Sequence, residues 1–246
     1  MPCHKNKSIT SLELLSSSAD EVKSLRFAMG DVAPVMRRNS SFACFVVGNI
    51  IQEWLQGWLE KRGYSYRTNP NTQMPPDFFL DSKKDDRNLL EVKAFNREAT
   101  PAFDIADFRM YAEEIVEKPW MLDVDYLIFG YKMGDDGIVT IKDLWLKKVW
   151  QITRRMEKWP LNLQIKSNVI HKIRPGVWYG KPTQFKLFDS LESFVSAVDY
   201  TVWQNPKTRE TSGTWLVDFQ KAYEKHYGRK IAIPRWTEIA DRYLTK

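Results

Sequence analysis

Two short runs with strand character, separated by a polar turn, restrict this chain more than any other feature. The first is Asp77-Phe78-Phe79-Leu80-Asp81, the turn spans Ser82 to Arg87, and the second is Asn88-Leu89-Leu90-Glu91-Val92-Lys93-Ala94-Phe95. Apolar runs bounded by turn-forming residues read as strands, and two of them across a short turn read as an antiparallel pair. That pairing brings Asp77 and Glu91 together although they stand fourteen positions apart. Side chains alternate along a strand, so Glu91 and Lys93 share one face and Val92 turns to the other.

The flanking segments supply the rest of a layered fold. Residues 9–29 read as a helix. From Phe45 to Arg62 the apolar residues Phe45, Ile50, Ile51, Trp54, Leu55, Trp58 and Leu59 recur at three- and four-residue spacing, with Gly63 as a stop. A helix capped by Asp104 runs through Ile105, Phe108, Tyr111 and Ile115 and ends before Pro119. Residues Val124 to Tyr131 form an apolar strand, Gly134 to Gly137 a turn, and Ile138 to Lys142 a further strand. Asp143 to Thr153 reads as a helix, Leu161 to Ile173 as extended chain, and Ser190 to Trp203, Trp215 to Tyr227 and Trp236 to Leu244 as helices. The order helix, strand, strand, helix, strand, strand predicts an α/β (α+β) fold, a mixed central sheet flanked by helices.

Two carboxylates converging on one place suit a hard cation. Mg²⁺ takes one or two carboxylates and completes its octahedron with water and substrate phosphate. In that arrangement Lys93 reaches the attacked phosphate, where an ammonium offsets growing negative charge. An acid-x-Lys triplet alone is uninformative, because Glu21-Val22-Lys23 and Asp81-Ser82-Lys83 have the same form. Only Glu91-Val92-Lys93 lies in a strand pattern after Pro76-Asp77. The competing reading is a surface hairpin carrying a solvated ion pair.

Charge distribution points to a polyanion. The net charge is +6, and the stretch from Gly137 to Lys186 holds eleven Lys or Arg against two acids, which leaves −3 for the remainder. Interleaved Trp145, Trp150, Trp159, His171, Trp178 and Tyr179 fit a surface that follows a phosphate backbone; a solvated helix face over core tryptophans is the alternative. Within and beside it, Lys147, Lys148, Arg154 and Arg155 are candidates for salt-sensitive affinity. Two cysteines, Cys3 and Cys44, with three histidines argue against a disulfide framework or a zinc enzyme. No apolar run reaches membrane-spanning length and the first residues lack the apolar core of a signal peptide, so a cytoplasmic protein that does not enter a membrane is expected.

Pro76-Asp77 followed by Glu91-Val92-Lys93 resembles the active-site signature of the PD-(D/E)xK nuclease superfamily. The longer series Gly48-Asn49-Ile50-Ile51-Gln52-Glu53-Trp54-Leu55, Asn71-Thr72-Gln73, Pro76-Asp77-Phe78, Leu90-Glu91-Val92-Lys93 and Asp125-Tyr126-Leu127-Ile128-Phe129-Gly130-Tyr131 resembles type II restriction endonucleases of the NgoBV/NlaIV kind, and more weakly EcoRV. The resemblance covers about residues 45–203. It implies a restriction-endonuclease-like core with extra C-terminal helices: a helical segment 1–44 with dimerisation as its candidate role, a nuclease core 45–203 with DNA recognition at about 137–186, and an extension 204–246. It implies Asp77 and Glu91 as Mg²⁺ ligands, Lys93 as the catalytic lysine and Glu53 as an auxiliary acid on the preceding helix. Glutamate rather than aspartate at position 91 departs from EcoRV within what the superfamily tolerates. The loop with Asn71 and Gln73 would approach the minor groove. Asn96, Arg97, Lys147, Lys148, Gln164, Lys166, Asn168, Lys172 and Arg174 are candidate DNA contacts, because amides and cationic groups can bond base edges or phosphates. The implied activity is Mg²⁺-dependent hydrolysis of double-stranded DNA at a short palindrome, with 5′-phosphate, blunt ends and GGNNCC as the site. The implied enzyme is a homodimer partnered by a cognate methyltransferase. A repair or junction-resolving nuclease and a non-catalytic DNA-binding module are the alternatives.

Overall fold

The structure is a computed structural model that describes residues 7–71, 74–180 and 184–245, with the backbone alone at Ser40 and Ser41. In chain order its elements are α1 (Ser11–Ser24), β1 (Arg26–Ala28), α2 (Ala33–Arg38), α3 (Ser40–Lys61), β2 (Arg67–Thr68), β3 (Phe78–Phe79), β4 (Leu89–Asn96), β5 (Ala106–Asp107), α4 (Phe108–Glu117), β6 (Asp125–Met133), β7 (Ile138–Lys148), β8 (Leu163–Lys166), β9 (Val169–Ile173), α5 (Leu191–Gln204), α6 (Ser212–Tyr227) and α7 (Trp236–Ile239). They group into two compact units. One contains the described residues up to Phe103 together with Val124–Lys147; the other contains Asp104–Asp123 and the described residues from Lys148 onward. This division follows different lines from three consecutive segments 1–44, 45–203 and 204–246, because each unit takes two separate stretches of chain.

The first unit is built on a mixed six-stranded sheet of order β1-β7-β6-β4-β3-β2. The β3 and β4 strands pair antiparallel, Phe78 opposite Leu90, whereas β4 and β6 run parallel from Leu90 opposite Asp125 to Asn96 opposite Tyr131. One face of β4 presents Leu90, Val92 and Ala94 to a core shared with Val47, Ile51, Leu55, Trp58 and Leu59 of α3. That apolar spacing of three and four residues is why α3 lies along the sheet. The helix begins at Ser40, five residues before the start expected from the sequence, behind the Asn39 cap, whose side chain accepts from the Phe42 N–H at 3.0 Å. It stops at Gly63, whose φ of +69° is cheap for glycine alone.

Two segments depart from the helices expected of them. The expected helix 9–29 ends at Ser24, because Arg26–Ala28 instead pairs with Thr140, Val139 and Ile138 of β7 and gains a sheet ladder that more helix could not provide. Its start carries a reciprocal Thr10–Glu13 capping box. The helix expected at Asp143 to Thr153 is instead the second half of β7, followed by a short 3₁₀ turn at Val149–Ile152. Asp143 is drawn into an ion pair with Arg97, and Trp145 stacks on Phe95 at 5.8 Å, so tertiary contacts decide a segment of weak periodicity.

The second unit holds the three-stranded sheet β5-β9-β8 and four helices. The buried side of α4, Phe108, Tyr111, Ala112 and Ile115, packs with α6, where Trp215 Nε1 donates to the Ala112 carbonyl at 2.9 Å. Asp107, not Asp104, caps α4 by accepting from the Met110 N–H at 3.1 Å. Asp104 is engaged by the Arg174 guanidinium. Among the described residues no helix is long and apolar enough to cross a membrane.

Candidate active site

The first unit assembles the charged centre where β3 stops and β4 continues. Pairing with β3 ends at Phe78 opposite Leu90, so the Val92 N–H two residues on is left without a β3 carbonyl. Asp77 supplies the missing acceptor: its Oδ2 receives the Val92 N–H at 2.7 Å. The aspartate is thereby fixed beside β4 by the sheet itself. Asn69 closes the preceding loop by donating its N–H to the Asp77 carbonyl at 3.1 Å and its side-chain amide to the Met74 carbonyl at 3.1 Å.

Alternation along β4 works as the sequence predicts. Val92 is in the core, while Glu91 and Lys93 meet on the opposite face, with Glu91 Oε1 2.6 Å from Lys93 Nζ. The Glu91 side chain is 5% exposed and that of Lys93 20% exposed. A solvated surface ion pair is therefore excluded. Glu91 Oε2 is buried and has no hydrogen-bond partner among the described residues. An orphaned carboxylate oxygen is costly, and a cation is one way to satisfy it.

Burial dominates the electrostatics. It pushes the Glu91 carboxyl up to about 7, against the pull of the Lys93 ammonium and with help from the charge of Asp77. Asp77 is raised as well, again by burial first, with Lys93, the Val92 N–H and the Gln52 side chain favouring its charged form. Two acids that oppose each other's ionisation, beside one ammonium, form a pocket short of positive charge. Asp77 and Glu91 fit a divalent ion by donor chemistry, since both offer hard oxygens and one of those oxygens is unpartnered. No group of three or more His, Cys, Asp or Glu suited to a metal occurs among the described residues.

The helix residue expected beside this centre shifts by one position. Glu53 is exposed and its charge acts on Tyr66, whereas Gln52 is the α3 side chain that acts on Asp77. A carboxylate and an amide adjacent in sequence gave no periodic signal to separate them, and the apolar stripe of α3 fixes the angle only once its start at Ser40 is known.

The expected DNA contacts have diverse surroundings. Asn71 is exposed and donates its N–H to Asn69, while Gln73 lies outside the described residues, as does Cys3. Asn96 accepts from the Glu98 N–H at 3.0 Å. Arg97 is held by Asp143 and lies over Trp145, 5.4 Å from the ring centre, which commits it to the protein. Lys147 is part-exposed on β7, whereas Lys148 Nζ donates to the Asp123 carbonyl at 2.5 Å. In the second unit Arg154 and Arg155 pack over Phe185, and Arg155 donates to the Ala240 carbonyl at 3.0 Å. Lys166 and Asn168 are exposed, Gln164 is part-exposed, Lys172 faces Asp107 at 3.9 Å, and Arg174 is paired with Asp104.

Residues 8–243 match the model of the NgoBV restriction endonuclease family. The chain is 56% identical over 245 residues to the type II restriction enzyme NlaIV of Neisseria lactamica, covering 97% of this chain and 99% of that enzyme. It is 51% identical over 164 residues to the type II restriction enzyme NgoBV of Neisseria gonorrhoeae, covering 64% of this chain and 90% of that enzyme. Among solved structures, an NlaIV restriction endonuclease superposes with a TM-score of 0.88 at 54% identity and 98% coverage of both chains.

Proposed function

This chain belongs to the NgoBV restriction endonuclease family, and on that basis we propose that it is a type II restriction endonuclease hydrolysing double-stranded DNA at the Asp77–Glu91–Lys93 centre. The observation that carries this reading is the buried Glu91–Lys93 pair with an unpartnered Glu91 oxygen, facing an aspartate pinned to the same strand. Asp77 and Glu91 are the residues that would hold Mg²⁺. A bound divalent ion supplies positive charge for phosphate oxygens and lowers the pKa of water. Lys93 Nζ stands 2.6 Å from Glu91, where an ammonium can neutralise charge growing on the phosphorus centre. Gln52 helps to keep Asp77 ionised. Water would attack phosphorus in line and lose a proton to solvent as the bond to the 3′-oxygen breaks, and the leaving 3′-oxygen takes up a proton, which gives 3′-hydroxyl and 5′-phosphate ends.

We read the substrate as a short palindrome cut bluntly, with GGNNCC as the site. Because each chain offers one such centre, a homodimer would place one on each strand, with the segment 1–44 assigned to pairing. A cytoplasmic location and a cognate methyltransferase complete the system.

Digesting a sequenced plasmid with purified protein and Mg²⁺, then mapping the ends, tests the reading. Discrete fragments from the wild type are expected. Asp77→Ala and Lys93→Ala should lower cleavage by at least about 10²-fold while circular dichroism and duplex binding persist. Unchanged cutting in both variants would refute the assignment. Nicks that follow DNA structure rather than sequence would favour a junction nuclease, and binding with no cleavage a non-catalytic module. A methylated copy of the plasmid should resist.

A further inference from the structure

The β8–β9 hairpin has two distinct faces that its sequence hides. In a regular strand Ile170 and Ile173, three residues apart, would point to opposite sides. The register instead sets Leu163 opposite Ile173, Gln164 opposite Lys172, Ile165 opposite Ile170 and Lys166 opposite Val169, which leaves His171 unopposed. His171 is the extra residue of a β-bulge, and it changes which side the chain presents beyond it. Cross-strand partners share a face. Leu163, Ile165, Ile170 and Ile173 therefore line one side, and Gln164, Lys166 and Lys172, with Val169 next to the loop, the other. Leu163 and Ile173 are buried at the root, whereas residues 165–168 form an exposed end.

The tip and the root are both well defined. Ser167 and Asn168 have φ of +48° and +61°, the left-handed pair of a two-residue type I′ loop. At the root the Ile105 N–H donates to the Ile173 carbonyl at 3.0 Å, Ala106 and Asp107 pair with Ile173 and Lys172, and Asp104 holds Arg174. The Arg174 N–H donates to the Asn162 carbonyl at 2.8 Å. The hairpin is thus a ribbon fixed at one end and open at the other, and from Leu163 to Ile173 it contains two lysines, a histidine and no acid.

We propose that this ribbon enters the major groove of DNA with its polar face toward the bases, that Gln164 and Lys166 bond base edges, and that Lys172 and Arg174 anchor the ribbon instead of reading sequence. A two-stranded ribbon is of a size that the major groove admits. Lysine matches the O6 and N7 edge of guanine, and the side-chain oxygen of glutamine can accept from the N4 amino group of cytosine. The acid-free composition keeps phosphates from repelling the ribbon on entry. This inference rests on duplex DNA being the substrate, as proposed above.

Selection of bound duplexes from a random library without divalent ion, followed by sequencing, tests the ribbon independently of cleavage. The wild type should enrich a defined motif. Gln164→Ala and Lys166→Ala should each relax preference at their own position by about 10- to 100-fold while the rest of the motif persists. Urea unfolding of both variants should match the wild type, because neither side chain is buried. Uniformly weaker binding with an unchanged motif and a salt dependence reduced by about one counterion would make these residues phosphate contacts and overturn the proposal. Failure of the wild type to enrich any motif would overturn it too. A motif enriched by a protein that cuts nothing would sink the nuclease reading and leave the ribbon standing.

Discussion

Replacing Glu91 by glutamine should alter how stability depends on pH more than how much stability there is. Burial raises the Glu91 carboxyl from 4.5 to about 7 in the folded protein. A group that binds its proton more tightly when folded stabilises the native state most below its unfolded pKa. That contribution fades as pH climbs from about 4.5 and is gone once pH passes about 7. The interval between the two values is worth about 3 kcal/mol. Asp77 shifts the same way, by its own burial first, while its charge adds to the rise of Glu91, so E91Q removes the Glu91 contribution and leaves the burial of Asp77 in place. Urea unfolding of both proteins at pH 5 and pH 8 provides the comparison. Between those values the wild type should lose about 3 kcal/mol more than E91Q. Added Mg²⁺ should restore wild-type stability at pH 8 and do little for E91Q, since a metal binds the ionised carboxylate. Parallel stability curves for the two proteins would refute the buried-acid argument, whatever their absolute offset.

Two further substitutions probe the sheet and its charges. A Cβ added at Gly130 would meet Arg97 Cδ at 2.5 Å and Trp145 at 3.0 Å, and Arg97 cannot easily retreat because Asp143 holds it. Gly130→Ala should therefore cost about 1–3 kcal/mol in urea unfolding, with no loss expected if Arg97 were free to move. Lys147→Gln should flatten the salt dependence of duplex binding by about one counterion, whereas Lys148→Gln should leave that slope unchanged and lower the melting temperature, because its ammonium serves the Asp123 carbonyl.

What could be read from the sequence was what local chemistry controls. The polar turn between two apolar runs was enough to place Asp77 next to β4, and the i, i+2 spacing was enough to put Glu91 and Lys93 together. The α3 stripe was legible for the same reason. Hidden features depend on residues distant in sequence. Strand pairing with β7 ends α1 early, and Arg97 and Phe95 recruit Asp143 and Trp145 into a strand. The choice between Gln52 and Glu53 turned on helix phase. Many cationic side chains of the basic stretch were drawn inward to carbonyls, acids and rings, so composition overstated the surface available to a polyanion.

The interleaving of the two units sets the order in which a nascent chain can complete them. The sheet of the first unit lacks β6 and β7 until the residues up to Lys147 have left the ribosome. By then α4 has already emerged, with Phe108, Tyr111 and Ile115 awaiting partners on α6 about a hundred residues downstream. Synthesis thus passes through a stage with a finished sheet and a stranded apolar helix, and that interval is when chaperones have most to gain by binding.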